Sequence, residues 1–265
     1  MIKNSNPPIL IIGMHRSGTT LLSRILDANG WFSGIRKDDN NESTYFQKIN
    51  DWILNNYGCT WEHPYNFKSD IVKDKYIIDY VKKDLNSFKS VEYYGIKRIS
   101  LNSKKFYGFK DPRTSITLPI WTQIFHMEPT IIHITRNGYS VAKSILARKN
   151  LEISHYNVEK SFRSDKFKLF KRNLITNTNT INNIDEALKL WSYYENRCNL
   201  NCQNISRSHH IIYEELINNP INTLDELSDF LNTKIVLPKT ILLKKENALV
   251  NVPQEYRDFL NRNGY

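Results

Sequence analysis

A segment near the amino terminus sets the architecture of the chain: Ile9-Leu10-Ile11-Ile12-Gly13-Met14-His15-Arg16-Ser17-Gly18-Thr19-Thr20-Leu21-Leu22. Its first residues are apolar and mostly β-branched, which is typical of a buried parallel strand. Gly13 and Gly18 supply the backbone freedom of a tight turn, and a helical spacing of apolar residues follows. Amide groups at such a turn and at the start of a helix bind phosphate. The segment therefore predicts a phosphate-binding loop.

Side chains of this loop add further donors. Hydroxyl groups come from Ser17, Thr19 and Thr20. Arg16 adds a permanent charge with several N–H donors. The spacing of Gly13 and Gly18 equals that of a P-loop, but Thr19-Thr20 replace its Lys and Ser/Thr pair. Because that pair serves the β- and γ-phosphates and Mg²⁺ of ATP, the loop favours a phosphate whose reaction needs no metal, and we expect no metal site.

Strand-like and helix-like segments alternate along the chain. Strands are predicted at residues 9–12, 107–110, 130–134 and 210–213, and helices at residues 19–29, 139–149, 184–202 and 222–231. This alternation predicts an α/β fold, P-loop-like with three layers, in which helices flank a central, mostly parallel sheet. No shift in composition marks a second domain, so we expect a single domain over residues 1–265. The polar segment 150–183 is expected to form loops or short helices over the sheet edge.

Composition narrows the classes of protein. The chain has 265 residues, with 37 Lys and Arg against 27 Asp and Glu, giving a net charge of +10. No apolar run approaches the ~18 residues that a membrane helix needs. The amino terminus lacks a signal-peptide core. Three cysteines cannot form a disulfide framework. We therefore expect a cytoplasmic protein with no membrane span. The positive charge suits nucleic acid, a membrane surface or a phosphorylated small ligand, or else it only keeps the protein in solution.

A second basic site follows the predicted strand 130–134. Arg136 stands at the carboxyl end of that strand, where open α/β sheets bind ligands. Ser144 and Arg148 are four residues apart and share one face of the next helix. Taken alone, Arg136 could equally cap a helix and Arg148 could be a surface charge. The phosphate-binding loop favours the alternative in which all three converge on a second phosphate.

Lys110 ends the predicted strand 107–110 and points to the same edge of the sheet. Asp111 precedes Pro112, which predicts a turn. The Asp111 carboxylate either orients this turn or pairs with Arg113.

These three segments together resemble the sulfotransferases that use 3′-phosphoadenosine-5′-phosphosulfate (PAPS), over residues 8 to about 231. Residues 16–20 are similar to their 5′-phosphosulfate loop, and residues 136–144 to their 3′-phosphate motif. Residues 110–113 are similar to the Lys-Asp-Pro element of tyrosylprotein sulfotransferases and many bacterial members. The resemblance implies transfer of a sulfuryl group from PAPS to a hydroxyl, with release of adenosine 3′,5′-bisphosphate. Because bacterial members often act on glycans, the acceptor is expected to be a carbohydrate.

The resemblance also implies roles for single residues. Arg148 would reach the 3′-phosphate, and Tyr213 would lie beside the nucleotide. A sulfuryl group carries less negative charge than a γ-phosphoryl group, so fixed charges can replace Mg²⁺ at the leaving phosphate. Arg16 and Lys110 are the candidates for that role.

The acceptor hydroxyl must lose a proton, so a carboxylate or imidazole is expected near the sulfur. Bacterial sulfotransferases often have Asn-Pro-x-Gly-Tyr/Phe-Phe/Trp-Glu after the first helix, whereas residues 41–47 are Asn-Glu-Ser-Thr-Tyr-Phe-Gln. Gln47 stands in the place of that Glu and cannot act as a base. Glu42 is our candidate, although an acidic residue at a helix start also fits a solvent-facing role. The alternative bases are Asp38, Asp39 and His15.

Two other functions compete with sulfuryl transfer. A P-loop nucleotide kinase or NTPase would use ATP and Mg²⁺, and the missing Lys after Gly18 counts against it. A nucleic-acid-binding protein would need a continuous basic stripe and salt-dependent binding, and we expect no nucleic-acid partner.

Overall fold

The computed structural model describes residues 6–68, 74–95, 106–159, 175, 180–243 and 252–264. Its strands are β1 (Ile9–Ile12), β2 (Trp31–Phe32), β3 (Phe106–Lys110), β4 (Thr130–Thr135) and β5 (Ser208–Ile212). They form one sheet in the order β2-β3-β1-β4-β5, and every pair of neighbours is parallel. The prediction of an α/β fold with a central parallel sheet is therefore confirmed.

Helices connect these strands and cover both faces of the sheet. They are α1 (Thr19–Ala28), α2 (Thr44–Asn56), α3 (Lys75–Leu85), α4 (Val91–Tyr94), α5 (Thr114–Ile124), α6 (Gly138–Glu159), α7 (Ile184–Gln203), α8 (Tyr213–Asn218), α9 (Pro220–Leu231) and α10 (Gln254–Arg262). A turn of 3₁₀ helix at Phe88–Ser90 precedes α4. None of the helices in the described part of the chain is long and apolar enough to cross a membrane.

Alternating side chains of β1 divide the core into two layers. Leu10 and Ile12 pack in a cluster with α2, α5 and α7, whereas Ile9 and Ile11 pack in a second cluster with α1 and α9. This division follows from strand geometry, because successive side chains point to opposite faces. Since helices bury both faces, all four residues are apolar and buried.

One prediction of secondary structure was wrong. A helix was predicted to end at residue 149, before a segment 150–183 that was expected to form loops or short helices, but α6 continues through Glu159. The stretch 139–159 contains neither glycine nor proline, so nothing in its sequence stops the helix that begins at Gly138. Most of the remainder of that segment lies outside the described residues.

The strand order places the site. Because β1 lies between β3 and β4, the connections on its two sides run in opposite directions along the sheet. Ligands of open parallel sheets bind beyond the carboxyl ends of the strands at such a reversal. The loop after β1, Lys110 at the end of β3 and Arg136 just after β4 therefore meet at one edge of the sheet.

Candidate active site

The loop between β1 and α1 turns sharply where it passes β4. Gly13 has a φ of +143°, and a Cβ atom there would lie 2.2 Å from the carbonyl oxygen of Ile134. Gly18 has a φ of +93°, a left-handed conformation that favours glycine. Arg16 adopts a φ of +70° without being glycine. The Ser17 amide donates a hydrogen bond to the Met14 carbonyl at 3.2 Å, which closes the turn.

Ser17 contributes a buried hydroxyl to this loop. Its side chain is fully buried, and its Oγ makes no hydrogen bond with any residue that the structure describes. A buried hydroxyl without a partner costs free energy. An oxyanion held by the loop would remove that cost, so the chemistry of the loop fits a phosphate or sulfate group.

Three guanidinium groups line the pocket above this loop, those of Arg16, Arg136 and Arg148. Partial burial lowers the pKa of Arg16, and the positive charges of Arg148 and Arg136 lower it further. The other two cations thus repel Arg16, and an anion bound among them would relieve this repulsion. The other lining residues are His15, Gly18, Thr19, Thr20, Leu21, Asn40, Glu42, Pro112 and Tyr213.

Direct contacts join the two predicted phosphate sites into one. Arg16 Nε donates a hydrogen bond to Ser144 Oγ at 2.8 Å. Arg136 Nη1 donates to the Arg16 carbonyl at 2.9 Å. The Arg136 guanidinium also lies 4.6 Å from the centre of the Tyr213 ring. The structure therefore brings together residues of the loop, of α6 and of the start of α8.

Tyr213 forms one wall of the pocket and packs directly on the loop. A Cβ atom on Gly18 would lie 2.2 Å from Cδ2 of the Tyr213 ring. Because Gly18 has no side chain, its backbone can adopt the left-handed conformation and the Tyr213 ring can pack against it.

Lys110 lies behind the pocket and is not among its lining residues. Its side chain is completely buried. Lys110 Nζ donates hydrogen bonds to the Asn40 carbonyl at 2.6 Å, to Glu42 Oε1 at 3.1 Å and to Thr20 Oγ1 at 3.4 Å. Thr20 and Glu42 both line the pocket, so Lys110 supports two of its walls.

Glu42 is buried, which is incompatible with the solvent-facing alternative. Its second oxygen, Oε2, accepts hydrogen bonds from Arg113 Nη1 and Gln47 Nε2, both at 3.3 Å. Burial raises the pKa of Glu42, while the charges of Lys110 and Arg113 act in the opposite direction. A pKa raised toward neutrality makes a carboxylate a better proton acceptor.

The alternative bases are placed less well. Asp38 Oδ1 accepts hydrogen bonds from the amides of Asn40 and Glu42, so this carboxylate holds the loop before α2. Asp39 is exposed, and neither aspartate lines the pocket. His15 does line it and lies 4.4 Å from the Trp61 ring. Burial and four nearby cations, Arg113, Arg148, Lys110 and Arg16, hold the pKa of His15 well below its usual value.

Asp51 was not among the predicted site residues, and it lies on α2 behind Glu42. Its Oδ1 is 2.6 Å from Arg113 Nε, and burial raises the pKa of Asp51 to about 7. Asn50 beside it donates a hydrogen bond to Asp111 Oδ2 at 2.8 Å. One signal was available, because Asn50 interrupts an apolar helical face that contains Phe46 and Leu54.

Three solved structures are similar to this chain in their overall course. A sulfotransferase domain from the curacin biosynthetic pathway is 18% identical, with a TM-score of 0.51 over 94% of this chain and 82% of that domain. A sulfotransferase domain of the Synechococcus PCC 7002 olefin synthase is 17% identical, with a TM-score of 0.47 over 88% and 76%. A sulfotransferase from Alicyclobacillus acidocaldarius is 13% identical, with a TM-score of 0.46 over 98% and 93%.

The likeness to the curacin-pathway domain supports a shared fold. No curated protein matches the chain. The sequence profile described as the sulfotransferase family matches residues 7–236, which include the loop, Lys110, Arg136, Arg148 and Tyr213. The chain therefore belongs to the sulfotransferase family, the family that its three basic segments resemble.

Proposed function

We propose that this sulfotransferase takes its sulfuryl group from PAPS and passes it to the hydroxyl group of an acceptor, as one catalytic domain. The convergence of Arg16, Arg136 and Arg148 on one pocket carries the proposal. PAPS bears anionic groups at two separate positions, on the 5′ side and on the 3′ side of the ribose. A pocket with several fixed cations and a loop of backbone donors suits such a ligand.

Each end of the donor has proposed partners. The loop residues Ser17, Gly18, Thr19 and Thr20 would hold the 5′-phosphosulfate through amides and hydroxyls. The 3′-phosphate would lie against Arg136, Arg148 and Ser144. The hydrogen bond between Arg16 Nε and Ser144 Oγ supports this assignment, because it brings the two groups of residues close to each other. Tyr213 would pack beside the nucleotide.

The proposed reaction is a transfer between two oxygens. The acceptor oxygen attacks sulfur and gives its proton to Glu42, while the bond between sulfur and the 5′-phosphate oxygen breaks. Arg16 would neutralise the charge that develops on the leaving phosphate. Lys110 would contribute its charge from behind Thr20 and Glu42, which it contacts.

Electrostatics favours Glu42 over His15 as the base. Burial, together with the surrounding cations, lowers the pKa of His15, so its imidazole resists protonation. Glu42 has the opposite shift, since burial raises its pKa. A group that binds a proton readily near neutral pH is the better general base. His15 is proposed to bound the pocket as a neutral ring.

The proposed acceptor is a carbohydrate, as in the bacterial sulfotransferases that the chain resembles. The proposed location is the cytoplasm, because Cys59, Cys198 and Cys202 are free thiols, which suits a reducing compartment. A panel of monosaccharides, phenols and aliphatic alcohols, assayed with PAPS for release of adenosine 3′,5′-bisphosphate, tests the acceptor class. Turnover with phenols or aliphatic alcohols but not with sugars would overturn the carbohydrate assignment.

The donor is tested by thermal unfolding with different nucleotides. Adenosine 3′,5′-bisphosphate at 100 times its Kd should stabilise the protein by about 2.7 kcal/mol. ATP with Mg²⁺ is the matched control. A larger shift with ATP and Mg²⁺ than with the bisphosphate would overturn the assignment of PAPS and favour a kinase-like reaction.

A further inference from the structure

Behind Glu42 lies a buried cluster of ionisable side chains, here called the inner cluster. It comprises Glu42, Asp51, Lys110, Asp111 and Arg113, and each of these side chains is at most 6% exposed. Three carboxyl groups thus face two cations. Full ionisation would leave one negative charge of the inner cluster unbalanced, which is costly away from water.

Arg113 is the shared partner of all three carboxylates. Its Nε lies 2.6 Å from Asp51 Oδ1, and its Nη1 lies 2.9 Å from Asp111 Oδ1 and 3.3 Å from Glu42 Oε2. The contact with Glu42 is the longest. Glu42 and Asp51 therefore compete for one guanidinium group from two different sides.

Asp111 accepts shorter hydrogen bonds than Glu42, at 2.8–3.0 Å against 3.1–3.3 Å, although each carboxylate accepts three. Its Oδ1 accepts hydrogen bonds from the backbone amide and the Nη1 of Arg113, and its Oδ2 accepts one from Asn50. Several donors to a carboxylate favour its ionised form. A proton held by the inner cluster consequently belongs to Asp51 or Glu42.

The surroundings of these two carboxyl groups support a shared proton. Arg113, Asp111 and Glu42 face Asp51, and burial raises the pKa of Asp51 to about 7. Lys110, Asp111, Arg113 and Asp38 face Glu42, whose pKa burial also raises. Two interacting groups with raised pKa values titrate as a pair rather than separately.

We propose that Asp51 is a positioning residue that acts through Arg113 to set how strongly Glu42 binds a proton. When Asp51 is ionised, Arg113 pairs with Asp51 and neutralises Glu42 less. Glu42 then binds a proton more strongly and is the stronger base. When Asp51 is protonated, Arg113 neutralises Glu42 more fully and weakens it as a base. The role of Asp51 in catalysis rests on the proposed function, in which Glu42 takes the proton of the acceptor hydroxyl. The effect of Asp51 on the protonation of Glu42 does not depend on that function.

The variant Asp51→Asn tests the coupling by infrared titration of protonated carboxyl groups. Asn keeps the size of the side chain and an oxygen for Arg113 Nε, but it removes the charge. ¹³C-labelled glutamate separates glutamic from aspartic acid bands, and Glu42→Gln identifies the band of Glu42. We expect the midpoint of Glu42 to fall by about one pH unit or more in Asp51→Asn. An unchanged or higher midpoint would overturn the proposal.

Two further measurements complete this test. Asp79→Asn removes an exposed carboxylate on α3 and should leave the Glu42 midpoint unchanged. If Asp51→Asn does not fold, infrared titration of the wild-type protein tests the coupling instead. Coupled carboxyl groups require the labelled aspartate and glutamate bands to titrate over the same pH range. Independent titration of the two bands would contradict the coupling.

Kinetics extends the test to catalysis. With PAPS and the best acceptor of the panel, activity at about pH 6 relative to about pH 8 should rise about threefold or more in Asp51→Asn. An unchanged profile would refute the role of Asp51 in catalysis. If the wild-type protein transfers nothing from PAPS, the proposed function fails, whereas the infrared titration still decides whether Asp51 and Glu42 are coupled.

Discussion

Arg136 connects the parts of the pocket through a single side chain. It donates a hydrogen bond to the carbonyl of Arg16 and lies over the ring of Tyr213. We expect Arg136→Ala to weaken binding of adenosine 3′,5′-bisphosphate by about 10- to 100-fold, because a hydrogen bond to a charged group contributes about 1.5–3 kcal/mol. Isothermal titration calorimetry measures the Kd directly.

The matched control for Arg136 is Lys83→Ala on α3. Lys83 is exposed and does not line the pocket, so its removal should leave the Kd unchanged although it removes the same charge. Equal effects of the two variants would mean that overall charge, and not the pocket, holds the nucleotide.

Glu42 is the proposed general base, and replacing its carboxylate tests that role. Glu42→Gln should lower kcat by about 10²–10⁴-fold, which is the usual contribution of a general base. The Kd for adenosine 3′,5′-bisphosphate should change little, because Gln keeps the shape of the side chain. Steady-state kinetics and calorimetry on the same variant separate the two effects.

Glu226→Gln is the control for this experiment, since Glu226 is an exposed residue of α9 far along the chain from the loop. It should keep the wild-type kcat. Retention of wild-type turnover by Glu42→Gln would rule out Glu42 as the base and return attention to His15.

The sequence predicted the cations of the pocket better than its acids. Arg16 and Arg136 follow buried strands, so their meeting at one sheet edge follows from topology. The relation between Glu42 and Gln47 was less accessible. The sequence shows Gln where related proteins have Glu, but only the structure shows that Gln47 Nε2 donates a hydrogen bond to Glu42 Oε2. The pairing of Asp51 with Arg113 depends on packing between α2 and the loop before α5, which no local pattern reveals.

Helix α1 has a glycine at each end, and comparing substitutions of the two glycines tests the contribution of the loop before the helix. Gly18 and Gly30 have φ values of +93° and +94°, so alanine strains both positions alike. A Cβ at Gly18 would meet Tyr213, whereas a Cβ at Gly30 would meet nothing within 4 Å. We expect Gly18→Ala to weaken nucleotide binding by about tenfold or more and Gly30→Ala to leave it unchanged. Backbone strain of about 1–3 kcal/mol applies to both, and Gly18→Ala loses more stability because its methyl group also displaces Tyr213.

Thermal unfolding and calorimetry on both variants separate strain from contact. A loss of stability in both variants together with a loss of binding in Gly18→Ala alone would match the expectation. If both glycine variants bound the nucleotide equally, the packing of Tyr213 on the loop would not matter for the site.

Element boundaries show where sequence patterns stop being informative. The end of α1 was predicted to within a residue, because Asn29-Gly30 provides a stop signal. The end of α6 was missed because the helix continues into polar residues without an apolar stripe to follow. Polar composition indicates exposure, which a helix tolerates as well as a loop does.

Asp51 also predicts how the stability of the whole molecule depends on pH. Its pKa is about 7 in the folded protein and about 3.9 in an unfolded chain. Between these values the folded state binds more protons, so the contribution of Asp51 to stability falls as pH rises toward 7. The stability of Asp51→Asn relative to wild type should therefore increase between about pH 5 and about pH 8.

Urea denaturation at the two pH values measures this difference, and Asp79→Asn serves as its control. A relative stability of Asp51→Asn that is the same at both pH values would show that the folded protein holds no extra proton at Asp51.

The positive charge of the whole chain predicts a dependence on salt. With a net charge of +10, the protein attracts anions over a distance that salt shortens to about 10 Å at 0.1 M. The Kd of adenosine 3′,5′-bisphosphate should rise about threefold or more between about 0.05 M and about 0.5 M NaCl. AMP, with fewer charges, should show a shallower rise, and equal slopes would contradict recognition of both phosphates.

The fold class was accessible from the sequence, but the order of strands was not. Alternating strands and helices predict a parallel sheet. They do not specify that β1 lies between β3 and β4, because an alternation along the chain does not say which strands become neighbours. The short strand β2, Trp31–Phe32, gave no pattern of its own and is recognisable only by its pairing with β3.

The central place of β1 has a consequence for synthesis on the ribosome. Ile9 pairs with Gly108 on one side and with Thr130 on the other. Strand β1, which precedes the loop, therefore cannot pair until these distant residues have been synthesised. Such long sequence separations slow folding. Tyr213, which closes the pocket against Gly18, is translated still later. A nascent chain can therefore complete this pocket only after most of its residues have left the exit tunnel.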